Sequence, residues 1–208
     1  MSQATNVLPP YSMLEHRHRL AVWVAGRAYS RKGSGHTMEV AQTLIENSGL
    51  GAIASPEDLP APGEIDAFIH SRIEAVMHAS AAIPQHQHWK SGELQSLECT
   101  YGRAQKLVNM YLKSKIICAS NEDDQDRVSA LHPPLDDQLL KAIHRNRKQC
   151  PAETKARFDD EWKKARELGT AWTQFNQGTY EAYIKAIRSF LAGRPLWHIE
   201  YLWSPVSE

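Results

Sequence analysis

Apolar residues recur every three or four positions along most of this chain, the spacing that places them on one face of an α-helix. The stretch beginning at Gly63 is the clearest, with Ile65, Phe68, Ile69 and Ile73 at helical intervals. Glycine, proline or polar clusters separate the stretches. The predicted helices cover roughly residues 12–30, 37–47, 63–77, 102–119, 136–146, 152–168 and 179–191.

The remaining segments carry no pattern that would support a β-sheet. Residues 81–92 read as an irregular, histidine-rich connection and residues 121–129 as an acidic loop. The tail from Pro195 to Trp203 alternates partly with a period of two, which predicts a short strand or an extended segment packed on the core. The sequence therefore predicts an all-α fold of about seven or eight helices, with a loose lead-in at residues 1–11 and a single helical domain at 12–208.

The first predicted helix is the most apolar. Ser12 is its expected N-cap, and the run from Leu20 to Ala25 is apolar nearly all round, which predicts a central, buried helix. That run is too short to span a bilayer, and the N-terminus lacks the features of a signal peptide. We therefore expect a cytoplasmic protein without a membrane partner.

Charge is balanced overall but uneven along the chain. Lys and Arg number 24, as do Asp and Glu, so the net charge is zero and argues against binding nucleic acid by bulk electrostatics alone. Basic residues nevertheless concentrate in segments 17–32, 103–115 and 141–155. If these segments meet in space, they produce a positive face.

The helix predicted at 102–119 holds the first half of the candidate chemistry. Arg103, Lys106, Asn109 and Lys113 lie along one stripe of its helical wheel, opposite the apolar residues. The stripe is either a solvated face or an anion site. Gly102 at the helix start favours the second interpretation, because backbone N–H groups and the positive end of the helix dipole would face a docked phosphate.

Asp136 supplies the second half. It follows Pro133-Pro134 and precedes an apolar run, so it is a natural N-cap. A capping carboxylate that projects into a cleft can also deprotonate an attacking lysine or water and offset positive charge on a sugar ring. Both roles can hold together.

In this pattern, Lys106 precedes Met110 and Lys113 on one helix, and a Pro-x-Asp ends thirty positions later at Asp136. The pattern resembles the helix-hairpin-helix DNA glycosylases, and its layout is closest to the archaeal 8-oxoguanine glycosylase branch. The resemblance covers roughly residues 101–143. Only Gly102 stands where the family usually has Gly-x-Gly, and Lys106 lies four positions past it, not two.

The resemblance implies an all-α fold of two lobes with the active site between them, and DNA with a damaged or modified base as partner. It would make Lys106 the Schiff-base nucleophile and Asp136 the catalytic carboxylate, with no cofactor and no iron-sulfur cluster. Tyr101, Gly102 and Arg103 would end the DNA-binding hairpin. Lys113 and His132 are further candidates for contact with DNA, and His132 has a structural hydrogen bond as its alternative. The candidate base-pocket residues, which are otherwise core or lid residues, are Trp23, Arg27, Trp197 and Trp203.

Three other interpretations compete with this one. His16, His18, His86 and His88 alternate in pairs, but no helical H-x-x-x-H accompanies them, so we expect no metal site. Arg72 and His78, with five residues between them, resemble the pair in small helical toxin ribonucleases. The main non-enzymatic alternative is a helical interaction module in a defence or regulatory assembly, in which Lys106 and Asp136 form a structural ion pair and the partner is a protein.

Overall fold

The structure is a computed structural model that describes residues 11–30, 35–87, 90–121 and 125–204. Within these ranges the chain forms eight α-helices and one hairpin of two-residue strands, so the predicted all-α fold class is confirmed. The helices are α1 Met13–Tyr29, α2 Met38–Asn47, α3 Ile65–Ala81, α4 Tyr101–Lys115, α5 Gln125–Ser129, α6 Asp137–Asn146, α7 Ala152–Leu168 and α8 Gln177–Leu191. The strands are β1 His86–Gln87 and β2 Leu94–Gln95, which pair antiparallel.

Five helices have an N-cap residue whose side chain accepts a hydrogen bond from the backbone N–H of the residue three positions later. These N-caps are Ser12, Thr37, Thr100, Asp136 and Asn176. Each satisfies an amide that the first turn of a helix leaves without an intrahelical partner. The N-cap predictions for Ser12 and Asp136 are therefore confirmed.

Three segments differ from the sequence-based expectation. The tail is neither a strand nor extended, because Leu196–Leu202 forms a 3₁₀-helix. The acidic loop contains the short helix α5, and the irregular connection contributes β1 to the hairpin. Of the predicted lead-in, only Tyr11 belongs to the described residues, and Gly33 and Ser34 of the predicted break also lie outside them.

Helix α4 is the centre of the fold. It packs against α1 on one side and α3 on another, while α7 packs on α8. A short 3₁₀ segment, Trp172–Gln174, lies across α4, and the Leu196–Leu202 segment contacts both α6 and α8. The buried apolar side chains form one continuous cluster that includes residues from every α-helix. A single core therefore connects α4 with the three C-terminal helices.

The position of α1 differs from the prediction of a helix buried all round. Its contact face consists of small residues, with Ala21 and Ala25 fully buried and Gly26 close to the Met38 side chain of α2. Leu20 and Trp23, from the apolar run, are more than half exposed. The apolar run therefore covers two faces, of which only the small-residue face is packed.

Hydrogen bonds fix the direction of α1 against α4. His18 Nδ1 lies 2.8 Å from the hydroxyl of Tyr111, and the hydroxyl of Tyr29, at the other end of α1, lies 3.5 Å from the Cys99 thiol just before α4. The two helices are therefore antiparallel.

No helix among the described residues is both long and apolar enough to cross a membrane.

Candidate active site

Lys106 and Asp136 meet. The Nζ atom of Lys106 lies 2.6 Å from Oδ2 of Asp136, and the Lys106 side chain is 9% exposed against 25% for Asp136. The other carboxylate oxygen, Oδ1, accepts a hydrogen bond from the backbone N–H of Leu139 at 2.9 Å. Asp136 thus caps α6 with one oxygen and holds the lysine with the other, and its partial exposure leaves the pair reachable from solvent.

Gln105, beside the lysine on α4, holds the segment that carries Asp136. Its side-chain amide donates to the carbonyl of Leu135 at 2.6 Å and its Oε1 accepts from the Leu135 N–H at 3.2 Å. This pairing satisfies both backbone groups of Leu135, which is fully buried. Gln105 could not be predicted from its local sequence, because its role depends on a segment thirty positions away.

A second buried contact begins at Asn109, one turn further along α4. Its amide donates to the hydroxyl of Tyr180 at 2.9 Å, and that hydroxyl lies 2.7 Å from Nδ1 of His132. The Nε2 atom of His132 lies 2.9 Å from a carboxylate oxygen of Asp66, which also accepts from Arg188. The network joins α3, α4 and α8 through the segment that precedes Asp136.

The hydrogen-bond partners and the burial of His132 together favour a neutral ring. A carboxylate only accepts, so Nε2 carries a proton; in the neutral ring Nδ1 then accepts from the Tyr180 hydroxyl. Complete burial lowers the pKa of His132, while hydrogen bonds from His132 and Arg188 hold the pKa of Asp66 well below its usual range. His132 is 2% exposed, so the predicted contact with DNA is wrong and the structural alternative holds.

The buried neutral histidine makes stability depend on pH. Because the pKa of His132 is lower in the folded state, the unfolded chain takes up a proton near pH 6.5 that the folded chain does not. We expect the free energy of unfolding to fall between pH 7 and pH 5, with His132 contributing at most about 1.4 kcal/mol per pH unit. Urea unfolding at both pH values measures this.

A His132→Asn variant should show a smaller loss between the two pH values than the wild type. His78 is exposed on α3 and lies outside the network, so His78→Asn is the matched control and should leave the pH dependence unchanged. An unchanged dependence in His132→Asn would contradict the assignment of a neutral His132.

The start of α4 is not an open phosphate site. The N–H of Gly102 donates to the carbonyl of Phe175 at 3.0 Å, and that of Arg103 to the Thr100 side chain. A Cβ atom on Gly102 would stand 1.8 Å from the carbonyl oxygen of Trp172. The expectation of phosphate docking at Gly102 is therefore wrong, because the protein's own chain occupies the helix start.

The structure also bears on the predictions for Tyr101 and Arg103, the residues on either side of Gly102. Tyr101 is 7% exposed and its hydroxyl bonds to His70, so it is a core residue and does not form the end of a DNA-binding hairpin. Arg103 is partly exposed and lies near the Tyr29–Cys99 pair, where burial raises the pKa of both groups and the Arg103 charge only partly opposes that rise. The predicted stripe on α4 is also not a solvated face, because Asn109 and Lys106 are both buried.

Lys113 lies two turns from Lys106 and is held by the C-terminal segment. Its ammonium pairs with Glu200 and lies 5.9 Å from the centre of the Trp203 ring. The indole N–H of Trp203 donates to Gln138 on α6 at 2.8 Å. Trp203 therefore bridges α4 and α6, the two helices that present Lys106 and Asp136.

The other base-pocket candidates are dispersed. Trp197 is partly buried against the core, and its ring contacts His198 edge-on. Trp23 and Arg27 are exposed on the outer face of α1. The structure thus associates Trp203 with the lysine–aspartate pair more directly than the other three.

A second lysine of α4 is buried but has a different environment. Lys115 is 2% exposed and donates to the carbonyl of Gly51 at 3.0 Å and to the hydroxyl of Tyr111 at 2.9 Å. Burial lowers its pKa. Neutral partners and lack of access make Lys115 a structural residue, so Lys106 is the better candidate nucleophile of the two.

The alternative sites receive no geometric support. Arg72 is engaged by the carbonyl of Ser48, and His78 lies six positions on, on a different face of α3, so the two do not form a shared site. His88 lies outside the described residues, while His16 and His18 bond to Tyr11 and Tyr111. The described part of the chain contains no cluster of three or more His, Cys, Asp or Glu side chains that could hold a metal ion.

The comparisons with known proteins found no match for this chain among protein-family models, curated proteins or solved structures.

Proposed function

We propose that this protein cleaves the N-glycosidic bond of a damaged or modified base in DNA. The observation that carries the proposal is the 2.6 Å contact between Lys106 Nζ and a carboxylate oxygen of Asp136 that remains partly exposed. A primary amine beside a fixed proton acceptor is the minimum that a lysine-dependent glycosylase requires. Lys115 lies on the same helix but is buried and has no carboxylate partner among the described residues, so it lacks this combination.

The proposed reaction begins with transfer of a proton from the Lys106 ammonium to Asp136. The neutral amine attacks C1′ of the sugar as the bond from C1′ to the base nitrogen breaks, and the base leaves with the bonding electron pair and takes up a proton. The secondary ammonium formed on Lys106 then loses one proton, its nitrogen lone pair forms a double bond to C1′, and O4′ leaves C1′ and takes up a proton, which gives a protonated imine and an open sugar ring. Asp136 also offsets positive charge that develops on the sugar.

The base has to leave the helical stack to reach Lys106, because the pair lies below the protein surface. Trp203 is the aromatic side chain best placed to stack on it, since Gln138 and Lys113 hold the indole between α4 and α6. Stacking on an aromatic ring contributes about 1–3 kcal/mol per base and tolerates many base identities. This position supports a role for Trp203 in the proposed base pocket and selects no particular base.

Trapping with borohydride tests the proposal. The protein is incubated with DNA duplexes that each carry one oxidised, alkylated or hypermodified base, and borohydride is added to reduce any imine. We expect a covalent protein–DNA adduct with at least one duplex and release of the free base. Absence of both products across the panel would contradict the proposal.

A helical interaction module is the second candidate, and the outer face of α1 favours it. Most of the exposed large hydrophobic residues lie on this helix or just before it: Tyr11, Met13, Leu14, Leu20 and Trp23. Exposed apolar side chains grouped on one helix are typical of a protein-binding face. Under this alternative the Lys106–Asp136 pair is structural.

A double variant, Met13→Glu with Leu20→Glu, separates this alternative from the enzyme. If the protein is an interaction module, a partner that co-purifies with the wild type in stoichiometric amount should be lost, because two charges replace apolar contacts. Quantitative affinity purification with mass spectrometry measures this. Retention of the same partner at the same ratio would exclude the α1 face.

A further inference from the structure

A cavity of about 330 Å³ lies between α6 and α7, outside the Lys106–Asp136 pair. Its inner surface is apolar and aromatic, and its rim carries charged side chains. The lining residues are Asp137, Leu140, Lys141, His144, Arg145, Trp162, Arg166, Thr170 and Tyr183. Its volume is at the lower end of the range of small-molecule sites.

The aromatic floor has an ordered stack. The His144 and Trp162 rings are nearly parallel, with an angle of 18° between planes, and the indole N–H of Trp162 donates to Nδ1 of His144 at 3.3 Å. One guanidinium nitrogen of Arg166 lies 3.2 and 3.3 Å from the two ring nitrogens of His144, so it stands over the ring face. Partial burial and Arg166 lower the pKa of His144, which favours the neutral ring.

The rim has excess positive charge. Asp137 pairs with Lys141 at 2.7 Å, so these two charges offset each other. Among the described residues, no carboxylate lies within ion-pair distance of Arg145 or Arg166, and the same holds for Arg147 on the adjoining surface. Two arginines that line the cavity, Arg145 and Arg166, and a third beside it, Arg147, therefore lack a carboxylate partner among the described residues.

The cavity adjoins the candidate active site through α6. Asp136 caps this helix and Asp137, the next residue, lines the cavity. Lys141 and Arg145 follow at intervals of four residues, so Arg145 lies about 12 Å along the helix axis from Asp137. The three lysines of α4, by contrast, are already engaged by Asp136, Glu200 or the carbonyl of Gly51.

We propose that the α6–α7 cavity and its arginines bind the phosphate backbone of the DNA strand that passes the Lys106–Asp136 pair, with one flanking nucleotide stacked against the His144–Arg166 layer. The inference rests on the proposed function for its choice of DNA. At about 3.4 Å of rise per nucleotide, the distance to Arg145 corresponds to about three or four nucleotides beyond the target base.

Arginine and aromatic rings together favour a nucleotide over an acidic peptide. Guanidinium groups bind phosphate oxygens in pairs, and a planar base stacks on a neutral ring or a guanidinium plane. The carboxylates of an acidic peptide would pair with the arginines but would leave the apolar floor of the cavity unfilled. A binding surface for DNA therefore accounts for both the rim and the floor.

Fluorescence anisotropy with a labelled DNA duplex tests the proposal in the double variant Arg145→Ala with Arg166→Ala. We expect the affinity to fall at least about tenfold near physiological salt, and the slope of log affinity against log salt concentration to decrease by about two. Lys164→Ala is the matched control, because Lys164 is exposed on α7 and does not line the cavity. It should bind within about twofold of the wild type.

Several outcomes would overturn the proposal: unchanged affinity and salt slope in the double variant, no DNA binding by the wild type, or displacement of DNA by polyglutamate at equal charge concentration. Thermal unfolding shows whether the double variant is folded; if it is not, Arg145→Gln alone should still reduce the salt slope by about one. Base release from the modified-base panel is measured on the same proteins. If the double variant loses DNA binding and no protein releases base, the cavity proposal stands and the glycosylase proposal is rejected. If base is released but the double variant binds DNA as the wild type does, the glycosylase proposal stands and the cavity proposal is rejected.

Discussion

Lys106→Gln should abolish the borohydride adduct and slow base release by roughly a thousandfold or more, the scale expected for removal of a group that acts in the transition state. The glutamine side chain is one atom shorter than that of lysine and has no amine to form an imine. Adduct yield and single-turnover base release, measured on the substrate found in the panel, check both expectations.

The variant should remain folded, which keeps the kinetic result interpretable. Asp136 loses its ion-pair partner but retains the hydrogen bond from Leu139 and its contact with solvent, so we expect a cost of about 1 kcal/mol. Thermal unfolding measures it. Lys164→Gln removes the same charge from an exposed position on α7 and should trap DNA like the wild type.

Asp136→Asn distinguishes the roles of the two residues. If Lys106 is the nucleophile, this variant should still form some adduct at a greatly reduced rate, because the amine remains and only its proton acceptor is lost. If Lys106→Gln releases base at the wild-type rate, Lys106 is not the nucleophile. Base release that depends on Asp136 alone would instead indicate attack by water.

Gly102→Ala should destabilise the protein by about 3 kcal/mol, a large effect for the addition of one methyl group. The new Cβ would stand 1.8 Å from the Trp172 carbonyl oxygen, a backbone atom that cannot rotate away. Relief of the clash has to move the Trp172–Gln174 segment and weaken the hydrogen bonds from Gly102 to Phe175 and from Thr100 to Thr173. Urea unfolding monitored by circular dichroism measures the loss.

The chain contains a close control for this substitution. Gly178 is the second residue of α8, as Gly102 is of α4, and both helices have 15 residues. A Cβ on Gly178 would lie no closer than 3.7 Å to the side chain of Asn176. Gly178→Ala should therefore be neutral or stabilise by up to about 1 kcal/mol through helix propensity. Equal effects of the two substitutions would contradict the packing described at the start of α4.

Local features of the sequence were sufficient to predict the helices. Hydrophobic periodicity located α1, α2, α3, α4, α6, α7 and α8, and the N-caps Ser12 and Asp136 were predicted from their positions before apolar runs. These features depend on residues within about four positions of one another, so the linear sequence contains them in full. The pairing of Lys106 with Asp136 was anticipated only through a resemblance to a known family. Glycosylase activity and a two-lobed arrangement stay predictions.

The environment of each candidate residue depended on tertiary structure. A glycine at a helix start, such as Gly102, is typical of an anion-binding site, but a segment seventy positions later in the chain covers this helix start. His132 resembles a surface ligand in the sequence and is buried between Asp66 and Tyr180, while Leu20 and Trp23 look like core residues and are exposed. The sequence by itself thus determined where helices begin, which faces are apolar and which residues carry reactive groups. Tertiary structure alone decided which of those groups reach solvent, because burial is set by contacts between segments that are distant along the chain.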